Sequence, residues 1–201
     1  MFSSSRNCNF PIFFCKFFSN SLPNTATCTC YPNFLLVIAH DKLYLILMFN
    51  NKYLSLFLIV LITFMASAIG GVVTSIFKEP WYSQIIRPSF SPPSWVFGPV
   101  WTTLYILMSV AIWFNWISYR KKKTLNIYFI HIAFNSLWSV IFFGFHQTLL
   151  SVFNLLIIIF FIVWLMIIYY KTTKLSFLLM TPYLLWSSFA FLLNVSIFYL
   201  N

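Results

Sequence analysis

Along most of this chain apolar residues follow one another with no polar side, and charges come only in short clusters. Uncharged runs cover 53–77, 88–119, 124–170 and 175–201. A helix crossing a hydrocarbon core of about 30 Å needs about 20 apolar residues. The first, second and fourth runs each hold one such helix. The run 124–170 as a single helix would measure about 70 Å at about 1.5 Å per residue, so it folds back. Its only breaker is Gly144-Phe145-His146-Gln147-Thr148. The pattern predicts five spans, near 53–76, 96–118, 125–144, 149–170 and 175–199. Barrel strands would alternate apolar and polar residues over about ten positions, whereas Leu155 to Phe161 is apolar throughout. The predicted class is an all-α integral membrane protein, a bundle of five transmembrane helices.

Between the first two spans the pattern changes. Residues 81–105 read WYSQIIRPSFSPPSWVFGPVWTTLY. Pro88, Pro92 and Pro93 forbid a continuous helix, because proline fixes φ and removes a backbone donor. A plain connection would be glycine, serine and asparagine. This one carries Trp81, Trp95 and Trp101, and is predicted to be a stiff, ordered loop of large rings at the membrane surface, suited to covering something.

Composition removes the soluble alternatives. Of 201 residues, 61% are hydrophobic and 7% charged, against about 25% charged in globular chains. The net charge of +10 is mostly a topology signal. With five spans, one side receives Lys52, Arg120, Lys121, Lys122, Lys123, Lys171 and Lys174, and the other Lys78 and Arg87 with Glu79. The positive-inside rule puts the first side in the cytoplasm and the 78–95 loop outside. The bases form no stripe on a soluble face, which argues against nucleic acid. Arg120 to Lys123 is instead suited to anionic lipid head groups.

Residues 1–47 differ from the rest. They hold Cys8, Cys15, Cys28 and Cys30 and are rich in serine and asparagine. They fit a signal peptide poorly, since the apolar patch from Phe34 to Leu47 comes late and is broken by His40, Asp41 and Lys42. They are read as a poorly ordered extension, with translation starting at Met48. A transit peptide is the alternative. The Cys28-Thr29-Cys30 spacing does not fit a zinc knuckle, and no metal site is expected.

Inside the spans, polar residues mark sites or helix contacts, because each costs energy in lipid unless it is partnered. At 100° per residue, His131, Asn135 and Trp138 fall on one stripe. So do Tyr183, Trp186, Ala190 and Asn194, and so do Trp101, Tyr105 and Ser109. Trp113, Trp116 and Trp164 are expected in interfacial belts. Pro182 is expected to kink the last span or delay its start, opening space beside Tyr183.

Three blocks of sequence carry a resemblance. They are Trp81-Tyr82 through Arg87-Pro88 and Pro92-Pro93-x-Trp95-Val96-Phe97-Gly98-Pro99-Val100-Trp101-Thr102; Phe134-Asn135-Ser136-Leu137-Trp138-Ser139-x-x-Phe142-Phe143-Gly144; and Pro182-Tyr183-Leu184-Leu185-Trp186-x-x-Phe189-Ala190-x-x-Leu193-Asn194. In order and spacing they resemble the translocator protein family, also called tryptophan-rich sensory protein, TspO/MBR or peripheral benzodiazepine receptor. The resemblance runs from about residue 50 to the end. It implies a five-helix bundle, often dimeric, with a pocket near the first loop that binds porphyrins and benzodiazepine-like drugs. Its ligand contacts carry over to Tyr82, Trp95, Trp101, Asn135, Trp138, Trp186 and Ala190. The stripes add Tyr105, His131 and Tyr183, with Asn135 or His131 free to take a polar edge of a flat ligand. One family feature is missing: the proposed cholesterol motif needs a base after the tyrosine, and Tyr199 is followed only by Leu200 and Asn201.

The expected function is a membrane receptor or carrier that binds a porphyrin or haem-like ligand, with no cofactor of its own. Its expected partners are that ligand, membrane lipid and a second copy of the chain. The resemblance also implies an alternative, light- and oxygen-dependent porphyrin breakdown, with Trp101 and Trp186 as the reactive indoles. A third class is an assembly subunit without a ligand. Asp41 and Glu79 are the only carboxylates, and both lie off the stripes, so acid–base catalysis has no machinery here. The short lead after Met48 and the basic loops suit a bacterial inner membrane rather than a mitochondrial outer membrane.

Two outcomes are expected. Deleting residues 1–47 leaves membrane insertion and ligand binding unchanged, and a truncated chain that fails to insert refutes the assignment. In intact cells without the native cysteines, an impermeant thiol reagent reaches Ser83→Cys but not Ser118→Cys, and the reverse pattern overturns the topology.

Overall fold

A computed structural model describes residues 51–201, and the extension expected at 1–47 lies outside the described residues. The described chain forms α1 (Lys52–Phe77), a single turn α2 (Trp81–Gln84), α3 (Ser94–Tyr119), α4 (Lys122–Ser139), α5 (Thr148–Thr172) and α6 (Lys174–Leu200). A π-helical turn, Val140–Gly144, continues α4. The five long helices are each long and apolar enough to cross a membrane. Among the described residues there is no strand. The chain is a multi-pass integral membrane protein, and the expected spans sit inside these helices to within a few residues.

Local chemistry sets the helix ends. The Asn51 side chain caps α1, accepting from the backbone N–H of Tyr53 at 3.0 Å and of Leu54 at 3.3 Å. This satisfies donors that an open helix start leaves without partners. Pro93 sits just before α3, where a fixed φ and a missing N–H cost little. Arg120 takes a left-handed φ of 49° and ends α3, so α4 begins two residues later. The expected breaker acts through the π turn, where the Phe145 N–H reaches back to the Val140 carbonyl at 2.9 Å. Beyond it His146 has a φ of 54°. The wider turn lets two consecutive rings, Phe142 and Phe143, both point inward, with centroids 4.9 Å apart.

Two expectations are corrected. Pro182 does not delay the start of α6, which runs from Lys174, so the proline lies well inside a long helix. Trp116 lies one turn from the end of α3, at belt depth, but is turned inward and only 7% exposed, with the Arg120 guanidinium 5.8 Å from its ring. The Trp113 indole N–H donates to the Lys52 carbonyl at 3.0 Å. Trp164 is partly exposed.

The helices pack as a closed ring in the order α1, α3, α6, α5, α4. Although α3 and α4 are joined by only two residues, they touch each other little. The lower core is aliphatic and buried, built on Met108, Ile112, Ile158, Ile162, Leu165 and Met180. Since lipid tails are as apolar as leucine, buried polar groups and close backbone approach must supply specific cohesion. Thr63 and Tyr128 pair through their hydroxyls at 2.8 Å, joining α1 to α4. Ser136 donates to the Ala66 carbonyl at 2.6 Å. Ser176 donates to the Ala111 carbonyl at 2.7 Å and joins α6 to α3.

Close approach of α1 to α4 depends on Gly70. A Cβ there would meet the Ser139 hydroxyl at 3.0 Å, whereas a Cβ at Gly71 would meet nothing within 4 Å. Gly70→Leu is therefore expected to destabilise the bundle by about 1–3 kcal/mol through overpacking. Gly71→Ala should leave stability unchanged or raise it by about 0.5–1 kcal/mol, the usual gain at a helix-interior glycine. Thermal unfolding in detergent checks both, and equal effects would refute the packing argument.

Candidate functional site

The space left between α3 and α4 is a cavity of about 470 Å³ on the side of the 78–95 loop. Its floor is a chain of hydrogen bonds. The Tyr105 hydroxyl donates to Asn135 Oδ1 at 2.7 Å. Asn135 Nδ2 donates to the Tyr183 hydroxyl at 2.8 Å. His131 Nε2 lies 2.8 Å from the same hydroxyl. Three helices thus meet at one carboxamide, each presenting the polar stripe its sequence spacing defines.

Above the floor the walls are aromatic. Trp101 stacks on Tyr105 with centroids 5.6 Å apart. Trp138 lies nearly parallel to Phe142, 5.2 Å away and 10° inclined. Trp186 meets Phe97 edge to face at 6.0 Å. Offset and edge-on arrangements suit the charge distribution of the rings. The indole nitrogens of Trp138 and Trp186 and both amide atoms of Asn194 are buried without a partner, and all three residues line the cavity. Ala190 on α6 supplies a small surface between larger neighbours.

The loop closes the outer end. Tyr82 on α2 is buried against Phe142 and Phe143. Its ring has Lys78 Nζ at 5.2 Å and the Arg87 guanidinium also at 5.2 Å. Trp81 stacks on His146 with centroids 4.5 Å apart. The end of α6 fastens the loop further. The Asn201 carboxamide accepts from the Ile86 N–H at 2.9 Å and donates to the Ile86 carbonyl at 3.0 Å.

Of the residues singled out from sequence, the structure brings Tyr82, Trp101, Tyr105, Asn135, Trp138, Trp186 and Ala190 to this cavity. His131 and Tyr183 are fully buried beneath the floor and act on it through hydrogen bonds. Trp95 does not line it and is 74% exposed. It precedes Trp101 by six residues, about 240° round the helix, so it points outward.

Sequence reasoning missed the contribution of α1, which presents Ser67, Gly70, Gly71, Thr74 and Ser75. The signal was present as the small-residue run Ala66-Ser67-Ala68-Ile69-Gly70-Gly71. It also missed Phe142 and Phe143, which only the π turn brings inward together. Glu79 is the only carboxylate among the described residues. Among the described residues no cluster of histidine, cysteine, aspartate or glutamate could hold a metal.

On the outside of the bundle, a second, open groove of about 540 Å³ runs between α3 and α6 and is lined by Pro99 and Pro182. Trp186 belongs to both spaces and forms the wall between them.

Fold and site together define a class: a five-span membrane protein with an internal aromatic cavity beneath a proline-rich loop. The TspO/MBR family profile matches residues 57–200, and the chain belongs to that family. It is 33% identical over 156 residues to the tryptophan-rich protein TspO of Chlorobaculum tepidum, covering 76% of this chain and 99% of the relative. The tryptophan-rich protein TspO of Archaeoglobus fulgidus is 32% identical over 134 residues, 66% of this chain and 87% of the relative. The human translocator protein is 34% identical over 119 residues, 57% of this chain and 70% of the relative.

The floor can be tested without a ligand. Tyr183→Phe removes the partner of both His131 Nε2 and Asn135 Nδ2, and should cost about 1–3 kcal/mol, the range for buried polar groups left unpaired. Tyr105→Phe removes one partner and should cost less. Thermal unfolding of the two variants in detergent gives the order, and a Tyr183→Phe protein as stable as the parent contradicts the floor.

Proposed function

We propose that this protein binds tetrapyrroles, porphyrin or haem, in the cavity beneath the 78–95 loop, as a receptor or carrier. The observation that carries the reading is the set of indole walls, Trp101, Trp138 and Trp186, around one buried space. Flat, largely apolar macrocycles gain stacking and dispersion against such walls. Most small-molecule pockets likewise combine apolar walls with a few placed polar groups. The reading includes self-association as a homodimer and contact with membrane lipid. A bacterial inner membrane fits it, since the bacterial and archaeal relatives align over most of their own length.

A second reading has one observation in its favour. Trp101 and Trp186 both line the cavity, and the Trp186 indole N–H has no partner. Such indoles would lie against a bound porphyrin and could react under light and oxygen. Bleaching of illuminated porphyrin with a new product, lost in Trp101→Phe, would favour this catalyst over a plain binding protein.

Binding itself is tested by filling the cavity. Ala190→Leu should weaken protoporphyrin binding by about 1–3 kcal/mol, as overpacking does in protein cores. Asn135→Leu should also weaken binding while the bundle stays folded. Quenching of tryptophan fluorescence measures both. If both variants bind protoporphyrin like the parent while folded and dimeric, the aromatic stripes are packing and the ligand site lies elsewhere.

A further inference from the structure

The floor of the cavity is poorly suited to an anion. Asn135 already has one oxygen lone pair and one N–H committed to Tyr105 and Tyr183. His131 is fully buried below it. A carboxylate driven down to this level would lose its hydration and meet no cation, which is costly in a low-dielectric interior. The cations stand at the other end. Lys78 closes α1, lines the cavity mouth and keeps its side chain 29% exposed. Among the described residues its only acidic neighbour is Glu79, whose Oε1 is 4.0 Å from Lys78 Nζ, at the outer limit of an ion pair. Glu79 is largely exposed, and a pair of this kind is worth little and is easily exchanged.

We propose that Lys78 binds the carboxylate edge of the ligand and thereby sets its orientation. The argument rests on the tetrapyrrole reading above and deepens it. The apolar edge of the macrocycle goes down toward Trp101 and Tyr105. The carboxylate edge stays at the mouth, where the Lys78 ammonium leaves Glu79 to pair with it and water still reaches the charges. Tyr82, buried between Lys78 and Arg87, fixes the level at which this charged rim meets the aromatic walls. A charge-assisted contact at this position favours a free acid over the same ring without charges.

The test compares protoporphyrin with its dimethyl ester, the same macrocycle with both carboxylates neutralised. Binding is read by tryptophan quenching with the full chain in detergent, at fixed low salt. Lys78→Met should weaken binding of the free acid about tenfold, and of the ester about twofold at most. Lys78→Arg should keep the preference for the acid. If Lys78→Met binds the acid like the parent, or loses acid and ester alike, the assignment of Lys78 is overturned while the tetrapyrrole reading stands. If the parent binds neither porphyrin, both fall together.

Discussion

A carboxamide placed among helices in hydrocarbon has no water to turn to, so the protein must saturate it or leave it costly. In this bundle Asn135 is partnered by two tyrosine hydroxyls, one from α3 and one from α6. Tyrosine is a long side chain, and reaching the amide with its hydroxyl holds the backbones apart. That is a physical reason why α3 and α4, joined by a two-residue turn, still barely touch. The polar junction is therefore a spacer as well as a bond, and the room it keeps open is the cavity. Below it the bundle closes on aliphatic side chains; above it the walls turn aromatic.

The same logic explains the ring of five helices. Serine and threonine hydroxyls join neighbours by reaching backbone carbonyls or a tyrosine, and Gly70 lets α1 lie close against α4. These contacts are short and local, so they fix helix neighbours without filling the centre. Large rings then supply the surface a flat ligand needs. The loop above is ordered by its prolines and by Tyr82 seated on Phe142 and Phe143. Entry, walls and floor thus come from different parts of the chain, and each depends on a different kind of interaction.

Much of this was legible in the sequence. Uncharged runs locate the spans because the bilayer sets both the length and the polarity of a crossing helix. The stripes on α3, α4 and α6 converge as their phases imply. Phase, however, gives a direction and not a depth. It could not separate Asn135, which faces the cavity, from His131, one turn lower and sealed beneath it. Trp95 looked like a cover because it sits in the tryptophan-rich loop, but its place in the first turn of α3 rotates it outward. Trp116 sits at belt depth, yet its ring belongs to the core. The small residues of α1 were visible as a run from Ala66 to Gly71, but such runs also serve plain helix packing, so the run alone did not single out a cavity wall. The paired inward rings of Phe142 and Phe143 needed the π turn, whose extra residue ordinary helical periodicity does not foresee.

The Asn201 carboxamide bonds both backbone groups of Ile86 and also donates to the Ile197 carbonyl in its own helix. In mechanical terms this is a clamp: one side chain ties the last turn of α6 to the cover of the cavity. A change of the Asn201 side chain therefore acts on the cover as well as on the last turn of α6.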